Sequence, residues 1–309
     1  MKEIEVIGVD VGNGYTKTVN TCFRSGIVRY DTKPLSSENI VFYNGKYYGV
    51  GGRRSTAKTD KKQDETALIF ALAGIGKEIK KRNRPIHDII LSEGLPIERC
   101  TNFNREIDEK YYKEGNTIKF GFEDEEYEIF IRKVLVNPQG VSAVLKLMLD
   151  GSIPDPCTII DIGSGTMDVV SYEDGKPVIS SRKSFNMGVI HCFNDAIGRI
   201  RTVTGMEVEE YVIEQVMRGE RGVLPEKYEA MVVDSIESYI KGIHNRLIEE
   251  GYNVELLPCI FVGGGASVLK KNGGEKYFPR AKYVANISAN AYGYELAAQS
   301  YVRSQNKDV

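Results

Sequence analysis

One element occurs twice in this chain and limits what it can become: an apolar strand, an aspartate, and a turn built from Gly, Asn, Ser and Thr. The first copy runs from Ile4 to Val11, carries Asp10 at its end, and enters Gly12-Asn13-Gly14-Tyr15-Thr16-Lys17. The second runs from Thr158 to Ile162, carries Asp161, and enters Gly163-Ser164-Gly165-Thr166-Met167-Asp168. Both strands are β-branched or apolar at nearly every position, the pattern of a strand covered on both faces. A carboxylate at the end of such a strand is costly unless a cation or hydrogen-bond donors face it. The small residues that follow expose backbone N–H groups, which together form a cradle for an anion. Taken alone, each copy also fits an ordinary hairpin turn.

Around these elements the chain alternates between the two hydrophobic periods. Apolar positions at Ala67, Leu68, Ala71, Leu72, Ile75 and Ile79 predict a helix over 64–82, followed by a strand over 86–91. Residues 117–122 and 127–136 alternate around Glu123-Asp124-Glu125-Glu126, which predicts a hairpin. Asn137-Pro138 reads as an N-cap and first helical residue, starting a helix that runs to about 149. Gly151-Ser152-Ile153-Pro154-Asp155-Pro156 is the best linker candidate. After it, strands are expected at 158–162, 167–172, 178–181 and 256–262, and helices at 187–203, 208–217, 227–250 and 288–303. Strands alternating with helices make the class α/β.

The 309 residues suffice for about two domains. No apolar run reaches the ~18–20 residues of a membrane span, and Met1-Lys2-Glu3-Ile4-Glu5 lacks a secretory pattern. Five scattered cysteines fit neither a zinc site nor a disulfide framework and point to a reducing cytoplasm. Net charge of −2 argues against a broad DNA-binding face.

A third glycine element, Ile260-Phe261-Val262-Gly263-Gly264-Gly265-Ala266-Ser267, lets a flat ligand approach the end of a strand. No Gly-Lys-Ser/Thr follows it, so it is not a Walker A loop, and no G-x-G-x-x-G fingerprint is present. In order and spacing the three elements, with Pro138-Gln139-Gly140 between the first two, resemble the phosphate-1 loop, connecting helix, phosphate-2 loop and adenosine motif of the actin/Hsp70/sugar-kinase superfamily. Within it the chain looks most like the bacterial ParM/StbA-type actins of plasmid segregation. That likeness rests on Ile90-Leu91-Ser92-Glu93-Gly94-Leu95-Pro96 followed by a charged helix and hairpin, on Val134-Leu135-Val136-Asn137-Pro138, and on Asn186-Met187-Gly188-Val189 before a helix. Gln139 stands where several relatives carry Glu.

The resemblance implies an actin-like (ribonuclease H-like) α/β fold, two similar domains around a nucleotide cleft. Domain I would cover 1–156, with a C-terminal helix in 286–309 returning to it, and domain II would cover 157–285. It implies that Asp10 and Asp161 hold hydrated Mg²⁺, and that Gly12, Asn13, Gly14, Ser164, Gly165 and Thr166 bond phosphates, with Tyr15 and Gly163 in the same nucleotide-contacting set. Lys17 would neutralise phosphate charge, Gln139 would orient the attacking water with help from Asp168, and Gly188, Gly263, Gly264 and Gly265 would line ribose and adenine.

The implied function is a slow, polymerising ATPase, with GTP as the alternative nucleotide. It would assemble head to tail, take a DNA-binding adaptor of ParR type, and act in the cytoplasm without a membrane. The rival on the same fold is a small-molecule, sugar-type kinase; a chaperone-like ATPase is disfavoured because no peptide-binding domain follows the last helix. His87, His191 and His244 lack ligand spacing. Glu207, Glu209, Glu210 and Glu214 read as a solvated helix face, one of which could reach ribose, and Arg53-Arg54 with Lys58, Lys61 and Lys62 as a solvated loop.

Overall fold

The computed structural model describes residues 4–53, 65–284 and 286–305. The chain forms two compact units, one of residues 1–146 with 288–309 and the other of 147–287. Arg54, Lys58, Lys61, Lys62 and the expected helix start at Asp64 lie outside the described residues.

The first unit opens with β1 (Ile4–Gly8) and β2 (Asp10–Val11), one extended run interrupted at Val9. The run serves two sheets. Its first half pairs in parallel with β8 (Asp88–Leu95); its second half starts an antiparallel meander through β3 (Tyr15–Lys17) and β4 (Cys22–Arg24). Beyond β4, a β-rich extension comprises β5 (Ile27–Tyr30), β6 (Ile40–Tyr43) and β7 (Lys46–Val50). These join β9 (Thr117–Phe122) and β10 (Glu125–Pro138), giving a seven-stranded sheet in the order β1-β8-β10-β9-β6-β7-β5. The fourteen-residue β10 holds it together: its first half is the partner of β9, its second half the partner of β8.

Helix α1 (Thr66–Arg82) is buried around most of its circumference, as its apolar first three turns require. Gly74 and Gly76 let it close on Val9 and Thr18 and on the Phe122 ring. Near its end, Glu78 is fully buried and accepts bonds from the Thr18 hydroxyl, the Asn20 N–H and Nδ2 (both 2.9 Å) and Arg82 Nε (3.0 Å). Burial works to raise its pKa, but these donors outweigh it and hold the carboxyl below the usual glutamate range. A folded value below the unfolded one stabilises fully above the ordinary 4.5 and is lost as pH falls through the folded value. Glu78→Gln is therefore expected to cost about 3 kcal/mol at neutral pH and to flatten the acid limb of stability, read by urea melts across pH.

Helix α2 (Asn102–Tyr111) precedes β9, and α3 (Leu145–Leu149) is where the chain leaves the first unit. The expected helix start at Asn137-Pro138 is corrected: both residues end β10, pairing with Gly94 and Leu95. Asn137 Nδ2 donates to Ser92 Oγ and the Glu93 carbonyl, so its side chain knits strands instead of capping a helix. Helical backbone begins only with the 3₁₀ turn Ser142–Val144.

In the second unit, β11 (Cys157–Ile162), β12 (Met167–Glu173) and β13 (Lys176–Pro177) form an antiparallel meander, with β14 (Lys183–Phe185) also on β12. The expected strand at 178–181 is corrected to a 3₁₀ turn, Ile179–Ser181, closed by Ser181 Oγ donating to the Val178 carbonyl. Helices α4 (Ile190–Thr204), α5 (Glu210–Met217) and α6 (Glu226–Glu249) turn a common core inward, including Ala196, Ile200, Ile213, Val216, Ile236, Ile240 and Ile243. Next, β15 (Cys259–Val262) pairs in parallel with β11, shorter than the expected 256–262; α7 (Gly264–Lys271) and β16 (Ala281–Tyr283) follow.

The last helix, α8 (Ala289–Gln305), belongs to the first unit. Gly8 on β1 and Gly94 on β8 let it approach closely, since a Cβ at either would overlap the Ala291 carbonyl or the Tyr294 ring. Glu295 on α8 accepts from the Gly8 N–H (3.2 Å) and Arg82 Nη2 (2.5 Å), tying α8 to β1 and α1.

The two units repeat one plan. In each, a strand ending in Asp turns back antiparallel, and a later strand adds in parallel to its other edge. No helix among the described residues is long and apolar enough to cross a membrane.

Candidate functional site

The repeat extends to the register of the two hairpins. In the first unit Asp10 lies opposite Lys17 and Val11 opposite Thr16; in the second Asp161 lies opposite Asp168 and Ile162 opposite Met167. Each hairpin is thus joined by four residues, Gly12–Tyr15 and Gly163–Thr166. All three aspartates are about 95% buried.

The cross-strand partner makes the two hairpins electrostatically different. Lys17 Nζ sits 3.1 Å from Asp10 Oδ2, with both side chains largely covered, so this pair is close to neutral. Asp161 and Asp168 place two carboxylates on adjacent strands, where like charges destabilise one another. Thr166 Oγ1 donates to Asp168 Oδ2 at 3.4 Å. Two buried carboxylates side by side suit a hydrated Mg²⁺, which takes one or two carboxylates and keeps several waters. Among the described residues no group of three or more His, Cys, Asp or Glu gathers in metal-binding fashion, so a cage made wholly of protein ligands is not formed there.

The second turn is backed by the segment ahead of α4. The N–H groups of Gly188, Val189 and Ile190 donate to the carbonyls of Gly165, Gly163 and Ser164 at 3.1, 3.0 and 3.0 Å. In a trans peptide the N–H points opposite to the C=O of the same plane. The N–H groups of Ser164, Gly165 and Thr166 therefore point away from 188–190, as an anion cradle requires. Gly188 is needed there, because a Cβ would overlap the Ser164 and Gly165 backbone.

The first turn is held from the opposite hairpin arm. Ser25, just past β4, donates its N–H to the Gly14 carbonyl (2.9 Å) and its Oγ–H to the Gly12 carbonyl (2.8 Å). By the same geometry the Asn13 and Tyr15 N–H groups point away from Ser25. Tyr15 lies under the Arg24 guanidinium, 5.9 Å from the ring centre.

Gly263 has a positive φ of 82°, and a Cβ there would overlap Asp161 Oδ1, so the third glycine element lies against the second aspartate. Gly264 starts α7 and Gly265 packs on Ile162 and Val189. Gln139 follows β10, its N–H bonded to the Leu95 carbonyl (2.8 Å) and its Nε2 directed at the Gly94 carbonyl (3.5 Å). The structure thus gathers Asp161, Gly163–Thr166, Asp168, Gly188 and Gly263–Gly265 at one end of the second unit's sheet. Asp10, Gly12–Tyr15 and Lys17 cluster in the first unit's small meander, and Gln139 stands at the end of its long sheet.

Residues 8–141 match the family model described as actin like proteins N terminal domain, and residues 159–272 match the one described as archaeal actin homologue MreB-like, C-terminal. An archaeal actin homolog of Thermoplasma volcanium is 27% identical, over 95% of this chain and 98% of its own length. The crystal structure of an archaeal actin homolog in complex with ADP has a TM-score of 0.74 at 23% identity, covering 96% of this chain and 99% of that one. A 15-stranded ParM filament from Clostridium botulinum has a TM-score of 0.74 at 17% identity, covering 96% and 99%. The chain has an actin-like fold.

Other conspicuous residues of the chain have structural partners. His244 packs on Tyr277 and Phe278, and His191 Nε2 lies 3.2 Å from Asn186 Oδ1. Glu207 pairs with Arg201 on exposed surface, and Glu214, its side chain mostly covered, pairs with Arg218. The sequence reading missed Ser25, and it missed the backing role of 188–190. Ser25 carries no motif of its own; the only hint is its place at the end of the short alternating run 22–25 that completes the meander.

Proposed function

We propose that the chain is an actin-like protein that binds Mg²⁺–ATP through the residues of turns 12–15 and 163–166, hydrolyses it slowly, and polymerises head to tail. The observation that carries the reading is the pair of same-register strand–aspartate–turn hairpins, each with its carbonyls tied back so that amide N–H groups are presented. Asp10 and Asp161 would hold the hydrated metal, which when bound neutralises charge on the phosphates, and Asp168 would assist the attacking water. Ser164, Gly165, Thr166 and Asn13 donate backbone N–H groups to phosphate oxygens, and Gly188 with Gly263–Gly265 leaves room for the nucleoside. Gln139 orients water. Its amide is too weak a base to take a proton, so turnover depends on positioning and electrostatics and is slow.

Polymerisation is supported by the likeness to a ParM filament structure, and a heterologous contact that does not close into a ring yields filaments. The finer reading is plasmid DNA segregation in the cytoplasm through a ParR-type adaptor, with ATP or GTP as the nucleotide. Right-angle light scattering with Mg²⁺ and ATP or GTP, followed by electron microscopy, tests it. Filaments and phosphate release are expected. Monomers only, at high micromolar protein, would defeat the filament reading, and nucleotide consumption stimulated by a sugar with a phosphorylated product would favour the kinase.

A further inference from the structure

Gly12 lacks a Cβ, so the peptide joining it to Asn13 can rotate with little steric resistance. A rotation of that plane would turn the Asn13 N–H away from any ligand. A group outside the turn holds its orientation.

The outside group is Ser25. Its hydroxyl donates to the Gly12 carbonyl at 2.8 Å, which pins the plane that contains the Asn13 N–H. A hydroxyl has one hydrogen, so with that hydrogen on Gly12 the 3.0 Å contact to Thr16 must run from the Thr16 hydroxyl into Ser25 Oγ. Thr16 thus orients the serine that orients the peptide. Both side chains are buried, Ser25 4% and Thr16 0% exposed, so water does not compete for these bonds. The Ser25 backbone is itself fixed. Its N–H holds the Gly14 carbonyl, and the next residue, Gly26, accepts from the Gly51 N–H at 3.1 Å and packs where a Cβ would overlap the Gly52 and Arg53 carbonyls. The second unit reaches the same end with backbone donors from 188–190; the first unit uses a side chain.

We propose that Ser25 is a positioning residue for nucleotide binding: its hydroxyl holds the Gly12–Asn13 peptide so that the Asn13 N–H meets a phosphate oxygen. The assignment rests on the function proposed above. It predicts a defect confined to phosphate recognition. In Ser25→Ala the affinity for Mg²⁺–ADP and Mg²⁺–ATP should fall about tenfold, as for loss of one well-aligned donor to a charged acceptor. Adenosine, which has no phosphate, should bind as in the wild type. Ser25→Thr keeps the hydroxyl and should recover most of the affinity.

Titration calorimetry with ADP, ATP and adenosine on wild type and both variants reads this out. Amide exchange of the wild type serves if the alanine variant does not fold: the Asn13 N–H should exchange freely without ligand and become protected by ADP but not by adenosine. Unchanged ADP affinity in Ser25→Ala, an equal loss for adenosine, or an Asn13 amide indifferent to ADP overturns the assignment. A wild type that binds no nucleotide would instead defeat the function reading itself, and the two failures are told apart by the wild-type titration.

Discussion

Replacing Asp161 by asparagine is expected to reduce phosphate release by roughly 10²-fold or more while leaving the chain folded. The expected size follows from removing preorganised charge from a reacting centre, which costs on this scale. The fold should survive for a reason visible in the ladder. Asp161 lies opposite Asp168 with both side chains buried, so without a bound cation the two carboxylates oppose one another. Asparagine has the same shape, fits beside Gly263, and removes one of the two charges. Without magnesium the variant should melt at or above the wild-type temperature; with magnesium the order should reverse, because only the wild type gains from the metal. A malachite-green phosphate assay and thermal melts with and without Mg²⁺ test both halves. Normal phosphate release from a folded variant would remove Asp161 from the site.

The second large effect is expected at Gly188. A methyl there overlaps the backbone of Ser164 and Gly165, which has no flexible end to move aside. Gly188→Ala must push the 163–166 turn off the three donors of 188–190, at a stability cost of about 1–3 kcal/mol. ATP affinity should fall further than in Ser25→Ala, because three amide groups lose their aim together. Gly198, inside α4, is the matched control. Nothing lies within 4 Å of its missing Cβ, so Gly198→Ala should leave nucleotide binding intact and add about 0.5–1 kcal/mol through helix propensity. Urea melts and nucleotide titration on both variants make the comparison; an unaffected Gly188→Ala would mean the turn does not depend on that segment.

Much of the architecture was legible because it depends on short-range pattern. The apolar runs at 4–11 and 158–162 read as strands buried on both faces, and the stripe at 67–79 read as a helix. Where local signals compete, the reading failed. Asn137-Pro138 has the composition of a helix start, yet β10 continues through both residues because β8 offers partners as far as Leu95. Residues 178–181 look like a strand, but the Ser181 hydroxyl accepts from the Ser171 N–H and donates to the Val178 carbonyl, which closes a 3₁₀ turn where a ladder would otherwise run.

The sequence by itself determined the two carboxylates, the glycine turns that follow them and the α/β alternation, since each is written within some ten consecutive residues. Tertiary structure decided what those turns present. Which way a peptide plane faces depends on an acceptor's partner, and the partners here, Ser25 for Gly12 and Gly188–Ile190 for Gly163–Gly165, lie about a dozen to two dozen residues away. It also decided the contrast between the hairpins. Lys17 and Asp168 fall at the same offset from their aspartates, and only strand pairing turns that offset into a salt bridge in one unit and a pair of like charges in the other.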